Sequence, residues 1–551
     1  MKNNNKFRLD VWGAITLGTI ALYALFLLYP MAYLIRQSVL DPDTGSFTLA
    51  YFTKFFSKSY YFDTLINSFK VSITATVLSI AIGTPLAYLF TIFKIKGKGV
   101  LNILIVVASM SAPFIGAYSW ILLLGRSGII TTFFKNLGIA IPDIYGFGGI
   151  VLVMTLQLFP LVFLYAKGAL KNIDNSLIEA AENLGCSGIA CFFKVVVPLI
   201  MPTLLAAALL VFMRSFADFG TPMLLGEGYT VLPVLVYNEY MSESATDPYM
   251  ASALSVIIVV CSLTMLAFQK LVVDKRNYMM SSLRPPQETK LRGWKRFFAS
   301  LPIYIVVALA FLPQIFVVCQ SFVERSFSGM VKGINFNNYR TIMSRLGRNI
   351  RNTYVFSIIA IVFIIIIGIL VSYILVRKKG KVANLIDTLI MFPYVIPGSV
   401  LGIGLIVAFN RKPIILVGTA AIMIISYIIR KLPYTVRSGS AFLYQMDPFI
   451  EEASINLGVS PMKTFFTVTA RMMLPGIMSG AVLSWITCIN ELSSSIMLYS
   501  GKTSTIAVAI YQEVVRMSDG TAAALATILT LTTIISLVIV FRATKGKVKI
   551  V

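Results

Sequence analysis

Long apolar runs, each about twenty residues, alternate along the chain with short clusters of charged and turn-forming residues. A helix needs roughly 20 mostly apolar residues to cross about 30 Å of hydrocarbon. On that basis the pattern predicts twelve spans: 11–35, 66–91, 100–124, 147–170, 199–217, 249–272, 299–322, 353–376, 385–409, 413–432, 474–498 and 521–541. The run from Val355 to Val376 is the most regular. Segments holding Pro113, Pro160 and Pro397 are expected to be kinked or broken, because proline removes a helical donor and crowds the preceding turn. The first span follows Lys2, Lys6 and Arg8 as a signal peptide would, but it is too long and has no small-x-small cleavage site, so it reads as an uncleaved helix.

Composition agrees with an all-α polytopic membrane protein. A soluble chain of 551 residues would form several domains of about 150 residues, but 57% hydrophobic and only 13% charged residues exclude that. The net charge of +24 belongs to loops and not to a nucleic-acid surface. Sorting the 47 Lys and Arg by the predicted topology puts 30 on the side of the termini and 15 on the other, with Lys70 and Arg214 inside spans. Basic loops stay inside, so both termini are expected in the cytoplasm. The stretch 323–351 runs against the rule, with Arg325, Lys332, Arg340, Arg345, Arg348 and Arg351 on the outer side. Its expected role is a basic surface for an acidic partner, with Arg340, Arg345, Arg348 and Arg351 as candidate contacts.

Chemistry is restricted further by the absence of histidine, the usual general base and metal ligand. The five cysteines show no Cys-x-x-Cys pairing, so no metal site and no disulfide framework is expected. Gly501-Lys502-Thr503 imitates the end of a phosphate loop, but Ile496 stands where that motif needs its first glycine. No catalytic or cofactor site is therefore expected in this chain.

The chain repeats itself. Shifted by 273, residues 160–202 match 433–475 at 13 of 43 positions, including Pro160/Pro433, Glu179/Glu452, Ala180/Ala453, Asn183/Asn456, Leu184/Leu457, Gly185/Gly458 and Phe192/Phe465. Upstream the shift becomes 285, pairing Asn67, Gly83 and Tyr88 with Asn352, Gly368 and Tyr373; the difference is an insertion near 125–149. Two six-span repeats follow, 1–273 and 299–551, joined by a charged linker at 274–298. Both start and end on the same side, so they are parallel repeats related by a pseudo-twofold axis along the membrane normal.

The best-matched stretch lies outside the membrane, in the loops 172–198 and 437–473. Each reads as a short helix begun by Asp174 or Asp447, interrupted by Gly185 or Gly458, and resumed at a phenylalanine pair. One such loop would be a cap on the bundle; two at matched positions read as docking elements.

At these residues the chain resembles the permease subunits of binding-protein-dependent type I ABC importers, whose signature is Glu-Ala-Ala, three residues, Gly, nine residues, Ile-x-Leu-Pro. Glu179, Ala180, Ala181, Gly185 and Pro198 match in the first repeat; Glu452, Ala453, Ser454 and Gly458 match in the second, where Arg471 replaces the final proline. The stretches 215–237 and 490–511 look most like fused ferric iron permeases, with relatives for 2-aminoethylphosphonate, thiamine and polyamines. The resemblance implies two copies of a cytoplasmic ABC ATPase docked on the two loops, with ATP and Mg used in those partners. It also implies an extracytoplasmic solute-binding protein and a membrane-lipid surround. An ion-driven secondary transporter is the rival from another class.

Asp218 and Glu491 superpose under the shift of 273, and a carboxylate deep in a bilayer costs about 2.5 to 3.5 kcal/mol on insertion scales. With Asn490 they are candidate pathway or gate residues at the interface of the halves. The alternative is a carboxylate that holds loose backbone or an arginine at a helix end.

Overall fold

The computed structural model describes residues 11–110, 113–186, 188–241, 247–273, 288–290, 293–325, 331–378 and 380–543. Lys2, Lys6, Arg8, Ser187 and most of the linker 274–298 lie outside the described residues, as do the side chains of Arg325 and Lys332.

The main helices in chain order are α1 (Val11–Ser38), α2 (Ser59–Ile92), α3 (Lys98–Met110), α4 (Pro113–Leu124), α5 (Phe147–Leu170), α6 (Asn175–Asn183), α7 (Gly188–Phe216), α8 (Gly220–Leu225) and α9 (Leu232–Met241). They continue with α10 (Pro248–Val273), α11 (Gly293–Gln320), α12 (Asn337–Arg377), α13 (Lys381–Val395), α14 (Gly398–Phe409) and α15 (Ala420–Tyr444). The last are α16 (Phe449–Asn456), α17 (Pro461–Ile489), α18 (Ile506–Val515) and α19 (Asp519–Ala543). Among the described residues, ten helical stretches are long and apolar enough to cross a membrane, one of them Phe114–Asn136, which runs from α4 into the short helix after it, or eleven if the bent pair α13–α14 is one span.

The differences from the expected twelve have local causes. The span at 385–409 is two helices bent by 108° at Pro397, which starts α14. The span at 100–124 is likewise two helices, with Pro113 opening the second. Pro160, by contrast, is accommodated inside α5. The span at 413–432 is displaced to α15, where Arg430, Lys431 and Arg437 fall within every 18-residue window and lower its apolarity. The stretch 323–351 is an antiparallel pair, Val323–Arg325 with Val331–Ile334, followed by a helical extension of α12.

The described residues form two compact units, one drawn from 11–51, 239–256 and 321–543, the other from 52–238 and 257–320. Neither coincides with a sequence repeat. The unit built on the second repeat includes α1, and the unit built on the first includes α11, so the repeats exchange their first helices.

In the first-repeat unit α2, α5 and α7 pack together, and Ile303 and Val307 of α11 join the core made by Phe90, Phe159, Phe163, Val196 and Ile200. A β-carbon on Gly83 would lie 2.9 Å from both the Phe159 carbonyl oxygen and the Val162 β-carbon, so only glycine allows α2 this approach to α5. In the other unit Gly368 meets Thr435 and Leu432 in the same way, and these are the shift-273 counterparts of Val162 and Phe159. Gly83→Ala will therefore destabilise the chain by about 1 to 3 kcal/mol. Gly148→Ala, where the added carbon meets nothing within 4 Å, will be neutral or stabilising through helix propensity. Thermal unfolding of the two variants in detergent checks this, and equal midpoints would refute the close-approach argument.

In the second-repeat unit α12, α15 and α17 pack together, and α1 lies against α12, α13 and α14. Pro433 cannot donate to the Ile429 carbonyl four residues before it. The fully buried Tyr23 of α1 brings its hydroxyl 3.5 Å from that oxygen. Trp12 stacks on Tyr373 at 4.5 Å and meets Phe465 edge-on at 4.8 Å.

Candidate functional site

The two repeated loops have the same construction. The Asp174 carboxylate accepts the Ser176 N–H at 3.0 Å to begin α6, and the Asp447 carboxylate accepts the Phe449 N–H at 3.0 Å before α16. A short polar side chain in this place satisfies a donor that the first helical turn leaves open. Both helices end on a left-handed glycine, Gly185 at φ 84° and Gly458 at φ 88°. Gly185 N–H donates to Glu182 and Cys186 N–H to Ala181, while Gly458 N–H donates to Ile455 and Val459 N–H to Ser454. This pair of bonds is a Schellman stop, which any residue with a β-carbon strains.

Just before each glycine a leucine stands almost wholly in the open, Leu184 at 88% and Leu457 at 85% exposure. Glu179, Ala180, Glu452 and Ala453 are exposed on the same short helices, and Ala181 and Ser454 are half-buried. The Glu179 carboxylate accepts the Asn175 amide at 2.6 Å, and Ser454 meets Thr464 at 3.0 Å.

The loops are tied down differently. Arg377 donates to the Glu451 carboxylate at 3.0 Å and to the Met446 carbonyl at 3.2 Å, and Tyr373 OH reaches Glu451 at 3.4 Å. At the matching places of the first repeat stand Ile92 and Ile178, and Ile178 packs against the apolar core. What the repeats share is a ring contact, Tyr88 with Phe192 at 4.7 Å and Tyr373 with Phe465 at 4.9 Å.

Asp218 and Glu491 both sit in the turn after a long helix. Asp218 accepts the Gly220 N–H at 3.2 Å and so starts α8. Glu491 is 6% exposed and accepts Arg430, Lys431 at 2.5 Å, and the Ser494 N–H and hydroxyl at 3.0 and 3.1 Å. Asn490 donates to the Ile486 carbonyl at 3.0 Å and to Thr533 at 3.4 Å.

Two repeated pairs that the sequence reading left without a role hold the segment beyond these turns. Asn67 donates to the Thr230 carbonyl and Ser68 accepts the Leu232 N–H, which begins α9. Asn352 donates to the Lys502 and Ser504 carbonyls and Thr353 accepts the Ile506 N–H, which begins α18. The signal was a polar pair recurring at the start of matching apolar spans, Asn67–Ser68 and Asn352–Thr353.

Of the basic residues on α12, Arg345 is paired with Glu513, whose side chain is 1% exposed and which also holds Arg516 at 3.3 Å and Thr521 at 3.0 Å. Arg340, Arg348 and Arg351 are exposed. No group of three or more Cys, Asp or Glu side chains among the described residues could hold a metal ion.

The chain is 28% identical over 498 residues to the putative ferric transport system permease protein FbpB 1 of Haemophilus influenzae, covering 88% of this chain and 77% of that protein. It is 28% identical over 516 residues to the ferric transport system permease protein FbpB of Actinobacillus pleuropneumoniae, covering 91% and 73%. The spermidine/putrescine transport system permease protein PotB of Haemophilus influenzae is 30% identical over 249 residues, 44% of this chain and 84% of that one. The model of the binding-protein-dependent transport system inner membrane component matches residues 46–278 and 364–548. With its many apolar helices and its two alike loops, the chain belongs to this family, as a permease of a binding-protein-dependent ABC importer.

Proposed function

We propose that this chain forms the membrane path for ferric iron and is driven by two copies of a cytoplasmic ATPase seated on α6 and α16. The carrying observation is the matched geometry of the loops: two Schellman-stopped helices 273 residues apart, each offering an exposed leucine beside a rigid glycine. An exposed leucine at a loop tip is a docking group when it recurs at the same place in both repeats. Glu179, Ala180, Ala181 and Gly185, with Glu452, Ala453, Ser454 and Gly458, then form the two contact faces. ATP and Mg act in the partners. Both termini and both loops lie on the cytoplasmic side, and a solute-binding protein meets the opposite face, where Arg340, Arg348 and Arg351 offer it positive charge. Ferric cargo is supported by the names of the two full-length relatives.

The experiment is uptake of radiolabelled ferric ion by cells expressing the whole importer, beside pull-down of the ATPase by the tagged chain. Leu184→Asp together with Leu457→Asp will release the ATPase and cut uptake at least tenfold while the chain stays in the membrane. ATPase retained by the double variant would overturn the docking assignment. Uptake of a polyamine, thiamine or 2-aminoethylphosphonate in place of iron would overturn only the cargo.

A further inference from the structure

The second-repeat unit carries a polar cluster that the docking and transport reading does not use. Arg430 and Lys431 lie side by side in α15, with side chains only 14% and 9% exposed, and Glu491 is their acidic partner. Two basic groups thus face one carboxylate among apolar helices. Glu491 already has both oxygens occupied by Arg430, Lys431 and Ser494, yet donors remain. Arg430 Nε is buried without a partner among the described residues. Ser426, one turn before Arg430 on the same helix, is fully buried, and its hydroxyl has no partner among the described residues. So is Ser399, next to Gly398. Hydroxyls in apolar helices usually return to the carbonyl four residues back, as Thr487 and Thr527 do here; these two do not. Buried polar groups left unsatisfied are costly, and Ser426 and Arg430 Nε lie one helical turn apart on α15.

The neighbourhood is shaped for the guanidinium. A β-carbon on Gly398 would lie 2.6 Å from Arg430 Nη1 and 2.8 Å from Ser494 N, so glycine there makes the room. The first repeat has no such charge: Gln157 and Leu158 stand at the matching positions, Gly116 abuts the Gln157 amide, and a small cavity lined by Gly116, Trp120, Gln157 and Gln314 lies beside them.

The chemical class follows from the group the cluster now holds. A carboxylate received by a guanidinium, an ammonium, a backbone N–H and a hydroxyl is an oxyanion in an oxyanion site. We infer that Arg430, Lys431, Ser399, Ser426 and Ser494 form a binding site for a phosphate-like oxyanion, and that Glu491 is its tethered occupant, displaced when the free anion enters. This rests on the importer reading only for the direction of passage; the site itself is independent of iron.

The test is binding of [32P]phosphate to the purified chain in nanodiscs, alone and with equimolar 55Fe(III). The expected result is one saturable site per chain, weakened at least tenfold by Arg430→Gln and several-fold by Ser399→Ala or Ser426→Ala, which leave the ion pairs intact. Glu491→Gln will tighten it at least tenfold by removing the internal competitor. Phosphate retained without iron identifies the free anion as ligand; phosphate retained only together with 55Fe identifies the ferric complex, and either supports the site. Failure of both the wild type and the serine variants to retain phosphate in either arm overturns it. Loss of cellular ferric uptake with phosphate binding intact would instead sink the iron assignment alone.

Discussion

Glu491→Ala will destabilise the second-repeat unit by about 3 to 5 kcal/mol, because it leaves two buried cations without their acid. Arg430 and Lys431 both hydrogen-bond to that one carboxylate, and Ser494 loses the acceptor of its N–H as well. The chain will show a lowered thermal unfolding midpoint in detergent and reduced yield from membranes. Removing the whole cluster should cost far less than breaking it, since buried ion pairs exchanged as a set for well-packed neutral groups are often neutral in effect. The first repeat supplies neutral groups at the positions of the two cations, Gln157 and Leu158. The triple variant Arg430→Gln, Lys431→Leu, Glu491→Gln is therefore expected to unfold within a few degrees of the wild type. A Glu491→Ala midpoint equal to that of the wild type, or a triple variant as unstable as the single one, would show that the cluster is solvated and not buried.

The helices and the repeat were legible because both are written in local pattern. Twenty apolar residues in a row can satisfy their backbone groups in lipid only as a helix, and identities such as Gly185/Gly458 and Phe192/Phe465 survive at a constant spacing. The construction of the two repeated loops could be read for the same reason, since Asp174 and Asp447 start a helix and the glycines stop it within a dozen residues. What local pattern does not carry is which core a helix joins. Tyr23 finds its partner 406 residues away, and nothing in the apolar face of α1 distinguishes one repeat from the other. Charge within a span was the second obscurity. The apolar pattern ends a span at 432, whereas α15 continues to Tyr444, because Glu491 receives the charges of Arg430 and Lys431 inside the unit. The acidic turns were visible as a superposed pair, but their different surroundings were not: Asp218 holds backbone and Glu491 holds cations. The hydrophobic pattern is the same in both repeats, and the distinction lies in residues 60 positions upstream.

The two loops are also predicted to transmit force unequally. α16 is joined to the end of α12 by the Arg377–Glu451 pair, whose side chains are 15% and 11% exposed, and by the Arg377 bond to the Met446 carbonyl. Among the described residues, α6 makes apolar contact at the corresponding place, through Ile178. A charge-assisted, largely buried bond resists shear better than apolar packing, which can slide without losing its contacts. Motion delivered to α16 should therefore reach α12 directly, while α6 moves as a loosely packed element. Arg377→Ile leaves Glu451 without its cation and frees the loop. In proteoliposomes containing the ATPase partner, this variant is expected to keep ATP hydrolysis within about twofold of the wild type but to lose at least tenfold in cargo moved per ATP. Adding Glu451→Ile reproduces the first-repeat pair of Ile92 and Ile178, removes the stranded carboxylate and should recover much of the fold stability without the full coupling ratio. An unchanged ratio in Arg377→Ile would mean that the ring contacts of Tyr373, Phe465 and Trp12 carry the motion. Full recovery of the ratio in the double variant would mean that packing transmits as well as the ion pair, and that the loops are mechanically alike.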